Sequence, residues 1–334
     1  IGTEKERILA WACGAEVQTG KYVIDEYDFT KPATELQQKT LHKREHEQAE
    51  HEIYDWPGDY DTLEVIKGSS TTVIKKDGDK YTVSKPVTFP ADKDVGKAAF
   101  EAVAKLEFGN LISDQKSRHG ELELGDASLR VKIRKGETVL ADLRLGKVTS
   151  DQVLVRLEGK DEVWAMKGVS KYQWDKDTTA WRDKHVTTFE EKDAAKIEVN
   201  SKTRGRMVMS RPEPSDAGPA PEWRIVESSV KVEPFDKSAA SELVSGMAGL
   251  TADDFADAAK PEDTGLDAPE NTVTVTLRNG KEHKILIGLK KKDKDDTYVK
   301  LADNPQVFVL GKYNAGRINK RPIDFRDKAV CNLT

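Results

Sequence analysis

Cysteine is nearly absent from this chain of 334 residues: Cys13 and Cys331 are the two present, one near each end. No Cys-x-x-Cys pair exists, which excludes a zinc ribbon or a thioredoxin-type redox site. In an oxidising compartment the two are candidates to pair and tie the ends together; otherwise they are ordinary buried thiols. No stretch approaches the ~18 consecutive apolar residues of a membrane span, and the longest apolar run near the start covers only residues 8–14. Neither a Walker-type loop nor a dinucleotide glycine fingerprint occurs, so a glycine-rich phosphate cradle is missing. The Gly-x-Ser-x-Gly elbow of a serine hydrolase is missing as well, and Ser210 and Ser241 have no recognisable nucleophile context. Residue 1 is Ile, so a removed leader or anchor is compatible with the chain. Ala10-Trp11-Ala12-Cys13 has a faint likeness to a lipoprotein cleavage box, which Trp11 fits badly.

What is present is a foldable, highly charged chain. Charged residues make up 34% and apolar residues 37%, and the β-branched and aromatic residues are spread throughout, so a core can form. The net charge is -5, with Lys and Arg interleaved among Asp and Glu. That is the pattern of a solvated surface and gives no reason to expect nucleic acid or anionic lipid as a partner.

The chain repeats itself. Trp181-Arg182-Asp183-Lys184 returns 144 positions later as Phe325-Arg326-Asp327-Lys328. The same register links Asp92 to Asp236, Leu106 to Leu250, Arg134 and Gly136 to Arg278 and Gly280, and Val163-Trp164 to Val307-Phe308. A fixed spacing with matching apolar alternation indicates a tandem duplication. Each copy opens with three strands, expected at 62–67, 71–76 and 80–84 and again at 195–200, 206–210 and 222–227. Asp77-Gly78 is a hairpin turn in the first copy, where the second has a Pro-rich excursion over 211–221. A helix follows, with Val95, Ala99, Val103 and Leu106 on one face, and Ala239, Leu243, Met247 and Leu250 in the second copy. Asp92 and Asp236 stand where they cap these helices. Two long strands turn at Lys135-Gly136 and at Asn279-Gly280, two more follow near 153–158 and 162–166, and a short amphipathic helix closes the copy. The expected fold class is α+β: two similar domains in tandem, each a mainly antiparallel sheet with helices packed on one side. The expected division is an N-terminal arm over 1–56 with a polar helix at about 34–52, a first repeat over 57–185 and a second over 186–334.

The second copy carries a recognisable order of motifs. Thr264-Gly265-Leu266-Asp267-Ala268-Pro269 precedes the alternating strand 273–277 with its Asn279-Gly280 turn, then 285–288, 298–301, 307–310 and Phe325-Arg326-Asp327-Lys328. This order resembles the bacterial domain of unknown function 4340 family, best over 220–330 and more weakly in the first copy. There the Gly-Leu-Asp-Ala-Pro step has decayed to the stretch from His119-Gly120 to Gly125. The resemblance implies a periplasmic or extracytoplasmic protein, membrane-attached only through an anchor outside this chain, and for some members a place beside ABC transporters of the gliding-motility kind. It implies no catalytic residues and no cofactor.

Three local features are candidates for chemistry. His42, His46 and Glu50 are spaced to share one face of a helix, and two imidazoles with a carboxylate are a possible zinc set. His42 to His46 also meets the inverted His-x-x-Glu-His pattern, with Glu45 in the general-base position. A catalytic zinc helix needs apolar neighbours to bury it, and this segment has almost none, which favours a solvated, charge-rich helix. Arg182, Asp183 and Lys184, with Arg326, Asp327 and Lys328, read as docking points or as residues that lock the end of each repeat. Duplication favours the lock, since a fold needs such residues twice and an active site usually once. Lys290 to Asp296 is a mixed charge run expected in a solvated turn. Trp164, Trp174, Trp181 and Trp223 are expected in the core.

The function expected on these grounds is a non-enzymatic accessory or scaffold protein of a membrane complex, with a protein partner such as ABC transporter subunits. A small-molecule or polysaccharide binder with its ligand between the repeats is the alternative, and a zinc hydrolase built on His42 and His46 comes third.

Overall fold

Residues 60–328 are described by the computed structural model, apart from 150–151, 168–169, 214–220 and 293, together with three short strands at 21–24, 38–41 and 52–55. Those strands are β1 (Lys21–Ile24), β2 (Gln38–Leu41) and β3 (Glu52–Asp55), paired in the order β2-β1-β3. Residues 38–41 are therefore strand where the polar helix was expected. The chain divides into two units, Ile1–Arg182 and Asp183–Thr334.

The first unit is built on a nine-stranded sheet. Its strands are β4 (Thr62–Lys67), β5 (Ser70–Asp77), β6 (Lys80–Lys85), β7 (Phe89–Pro90), β8 (Glu107–Ser113), β9 (Leu129–Lys135), β10 (Thr138–Thr149), β11 (Gln152–Leu157) and β12 (Val163–Lys167). They lie in the order β7-β6-β5-β4-β9-β10-β11-β12-β8, every neighbouring pair antiparallel. Helix α1 (Lys93–Ala104) follows β7 and the one-turn helix α2 (Thr178–Trp181) ends the unit. Strand alternation sends Leu63, Val65, Val131 and Ile133 to one face. There they form a core with Ala99, Phe100 and Val103 of α1 and with Trp174 and Trp181. The opposite face is covered in part by the segment before β9, whose Leu122 and Leu124 pack on Leu154, Val163 and Ala165. The β5–β6 hairpin closes on Asp77 opposite Lys80, with Gly78 at φ +56° as its first central residue, the position where a type II′ turn requires glycine.

The second unit has eight strands: β13 (Ala194–Ser201), β14 (Gly205–Ser210), β15 (Arg224–Ser228), β16 (Asp254–Phe255), β17 (Asn271–Leu277), β18 (Glu282–Lys290), β19 (Thr297–Leu301) and β20 (Phe308–Leu310). Its helices are α3 (Lys237–Ala248), α4 (Pro261–Thr264) and α5 (Lys312–Ile318). The order β15-β14-β13-β17-β18-β19-β20-β16 is that of the first sheet without β7. The duplication read from the sequence is thus a duplicated topology. The balance is mostly β, and this corrects the α+β expectation. Among the described residues only α1 and α3 reach three turns, because most connections are hairpins too short to hold a helix.

The ends of the two units are built alike. Asp92 accepts from the backbone N–H groups of Asp94 and Val95 at the start of α1, and Asp236 from those of Ser238 and Ala239 at the start of α3. The Asp92 N–H donates to Trp181 O at 2.9 Å, and the Asp236 N–H to Phe325 O at 2.8 Å. Trp181 and Phe325 are both fully buried.

Strand pairing corrects the register in one stretch. Leu143 faces Leu157 and Leu145 faces Val155, whereas Ile285 faces Leu301 and Ile287 faces Val299. Strands β9 and β10 therefore correspond to β17 and β18 at a spacing of 142, not 144. The segment before β17 is two residues shorter than its counterpart, and the loop after β18 restores the difference. Arg134 and Gly136 are consequently not the structural counterparts of Arg278 and Gly280. Gly146 and Gly288 are counterparts. A Cβ would meet Leu122 O at 2.3 Å on the first and Thr264 O at 2.1 Å on the second, so only glycine lets the crossing segment approach each sheet.

Candidate binding surfaces

A charged network on the first unit and a cleft on the second are the candidate surfaces. In the first unit, alternation along β9 turns Arg130, Lys132 and Arg134 to the face opposite the core, where Glu64 of β4 and Asp142 and Arg144 of β10 meet them. Arg144 stands directly between Arg130 and Arg156 in the strand ladders. Like charges in a row repel, and each arginine here has its own acceptors. Arg130 forms a two-pronged pair with Asp142, its Nε and Nη2 at 2.7 and 2.6 Å from the carboxylate oxygens. Arg144 is paired with Glu158 and donates to the carbonyls of Gly125 and Asp126, each at 3.1 Å. Arg156, buried, donates from Nε to Leu124 O and from Nη1 to Lys160 O, both at 3.2 Å. Glu64 takes Lys132 and Arg134, each at 3.2 Å.

The Arg144 guanidinium holds Glu158 below the usual carboxylate range, and the Asp142 and Glu158 carboxylates raise Arg130 and Arg144. The Glu158 carboxylate therefore stays ionised and paired at neutral pH and is poorly placed to shuttle protons. What Arg144 and Arg156 do is fasten the 124–126 segment over Leu154 and Val163. The second unit has Thr272, Thr274 and Thr276 where the first has Arg130, Lys132 and Arg134, so the network belongs to one copy. Its signal was readable as Arg and Lys on alternate positions of Leu129–Lys135, but the matching acids lie on other strands.

In the second unit a cleft of about 450 Å³ opens beside edge strand β15, lined by Trp223, Ile225, Val230, Val232 and Phe235 with Arg224, Lys231 and Lys237 at its rim. Nothing in the sequence marked it. The Pro-rich excursion expected over 211–221 lies outside the described residues at 214–220.

The residues singled out in the sequence are placed as follows. Arg182 is buried, its guanidinium 4.4 Å from the Phe89 ring, and bridges to Ala91. Asp183 accepts from the His185 backbone N–H at 3.0 Å and lies 2.6 Å from its Nδ1, and Lys184 donates to Asp253 O at 3.1 Å. Arg326 makes the matching bridge to Phe235 but is exposed, and the Asp327 N–H donates to Pro234 O at 2.8 Å. Lys328 is exposed, near enough to Asp236 and Asp324 to lower both carboxyls as a minor influence; Asp236 is lowered chiefly by Ser238, and Asp324 chiefly by Arg321. Trp174, Trp181 and Trp223 are buried, as expected of core residues, whereas Trp164 is half-buried. Lys290 and Asp295 pair at 3.0 Å in the exposed loop after β18. His42, Glu45, His46 and Glu50 lie outside the described residues, as do Cys13 and Cys331. Among the described residues no group of three His, Cys, Asp or Glu is placed to hold a metal ion, and no helix is long and apolar enough to cross a membrane.

The comparisons with known proteins bear on both parts of the chain. The profile described as a domain of unknown function (DUF4340) matches residues 82–269 and again 234–334. The chain belongs to this family. The first DUF4340 match runs from the first unit into the second, and the second match begins just before α3. A different profile, that of the phage tail baseplate hub (GPD), matches residues 1–106. Curated relatives include two spike proteins of Pseudomonas aeruginosa (strain PAO1). The type VI secretion system spike protein VgrG1a is 30% identical over 78 residues, 23% of this chain and 10% of that protein. VgrG1c is 35% identical over 57 residues, 17% of this chain and 8% of that protein. The chain thus spans about a tenth of the length of the curated relatives it matches. No solved structure matches it significantly.

Proposed function

We propose that this DUF4340 protein is a non-enzymatic scaffold in a cell-envelope assembly, working outside the cytoplasm beside a membrane complex. The observation that carries the reading is the joining, in one chain, of a segment similar to baseplate hubs with two copies of a sheet-bearing unit. Residues 1–106 would seat in a larger assembly of the hub or spike kind, and the duplicated sheets would offer surface and strand edges to a further protein. ABC transporter subunits remain a second class of partner in this proposal. No cofactor and no turnover belong to it.

The test is affinity purification of the protein from gently solubilised envelopes of its source cells, with mass spectrometry of what accompanies it. Stoichiometric recovery of hub, spike or transporter subunits is the expected result. Recovery of the protein alone, under conditions shown to keep such complexes intact, would sink the proposal.

A further inference from the structure

In the first unit the outer edge of β6 is covered. Thr82 pairs with Pro90 and Val83 with Phe89, and the Ala91 N–H donates to Tyr81 O at 3.0 Å. The strand ladders make Tyr81, Thr82 and Val83 the counterparts of Trp223, Arg224 and Ile225. The paired bridges of Ala91 to Arg182 and Phe235 to Arg326 make Phe89 and Pro90 the counterparts of Glu233 and Pro234. Yet the second sheet ends at β15, and among the described residues no ladder joins it to 230–235. The cleft of about 450 Å³ stands where the first unit has that pairing. Trp223, 1% exposed, lines it, and its buried Nε1 has no hydrogen-bond partner among the described residues. Val226 on the same edge is 66% exposed. Glutamate stands where the first unit supplies phenylalanine, so the second unit lacks the ring that shields Arg182, and Arg326 is exposed.

We infer that β15 is a strand-addition site for an extended peptide segment of a partner protein, one with an aromatic or large apolar residue near an acidic residue. The segment pairs along β15 as Phe89–Pro90 pairs along β6, and its apolar side chain enters the cleft over Trp223. Main-chain hydrogen bonds to an open sheet edge supply affinity, and the side-chain pocket supplies selectivity. Lys231 pairs with Glu233 at 3.1 Å and Lys237 with Glu222, which leaves Arg224 as the cation in excess beside the cleft and one acidic neighbour to complement it. This deepens the scaffold proposal and rests on it for the occupant being a protein.

The probe is a peptide with the sequence of residues 86–92, the segment that covers β6 and carries both Phe89 and Asp92. It is titrated into the full chain while the Trp223 indole N–H is followed by NMR, its signal assigned with Trp223→Phe. A saturable shift is expected, and a peptide with Phe89→Ala should bind about 10-fold more weakly, the usual loss for an anchor residue. Ile225→Glu in the protein should abolish the shift, with Val226→Asp as a second variant at an exposed position in case the first does not fold. Absence of a saturable shift up to ~1 mM peptide, the weak end of useful affinity, overturns the inference, and so does a shift indifferent to both variants. Closure of the cleft by the chain's own residues 230–235 would appear as a Trp223 signal unmoved by peptide. If purification yields a partner whose amine cross-links avoid Lys231 and Lys237, the cleft inference fails and the scaffold proposal stands. If the peptide binds and no partner is recovered, the reverse holds.

Discussion

Arg144 and Glu158 show how a single ion pair holds more than itself. Arg144 is 8% exposed at its side chain, and it satisfies two backbone carbonyls of the segment crossing the sheet as well as the Glu158 carboxylate. Arg144→Ala removes the cation and leaves those acceptors under-satisfied. A loss of about 2 kcal/mol is expected, read as a shift in the urea midpoint of the first unit. The Glu158 carboxyl is lowered in the folded state, so its contribution is full above its ordinary value of 4.5 and is lost as pH falls below that. Stability measured by urea titration should therefore fall from pH 5 to pH 3, with a shallower fall in Glu158→Gln. An equal slope in both proteins would show that Glu158 carries none of the dependence. The two helix caps make a matched test. Asp92→Ala and Asp236→Ala should each cost about 1 kcal/mol, because each leaves two N–H groups of a first turn without their acceptor.

At the scale of elements, the glycines inside β10 and β18 decide how closely a crossing segment can lie on the sheet. Gly146→Ala and Gly288→Ala would each drive a methyl group into a backbone carbonyl, which cannot swing aside as a side chain can. Each substitution is expected to destabilise its own unit by roughly 1–3 kcal/mol, the usual range for overpacking. Gly249→Ala, with open space around its Cβ, serves as the control in differential scanning calorimetry. Comparable losses at all three positions would mean that close approach is not the cause. Strand positions were mostly legible in the sequence, since alternation with period two marks a half-buried strand locally. Strands β8 and β16 went unread, because each gains its place by pairing with a strand more than fifty residues away in the chain.

Across the whole molecule, the same strand order built twice implies that each copy closes its own core. Expressed separately, residues 1–182 and 183–334 should each unfold in a cooperative transition with native-like near-ultraviolet circular dichroism. Failure of either piece to fold would mean that its core needs the other. The proposed scaffold role belongs to this scale too, since it depends on which surfaces of the two units a partner can reach.

The sequence by itself determined the duplication, most strands of the two large sheets, the helix caps at Asp92 and Asp236 and the family, because these depend on local pattern and on similarity along the chain. It also pointed to the end-of-repeat tripeptides, though it could not tell that Arg182 would be buried under Phe89 and Arg326 left exposed. Only the tertiary structure decided the two-residue change of register between the copies, since strands are equivalent by pairing and not by number. Only it assembled Arg130 with Asp142, Arg144 with Glu158 and Arg156 with the carbonyl of Leu124, and only it left β15 open where β6 is covered. Each of these depends on residues brought together across the sheet, and spacing along a chain does not encode which edge remains unpaired.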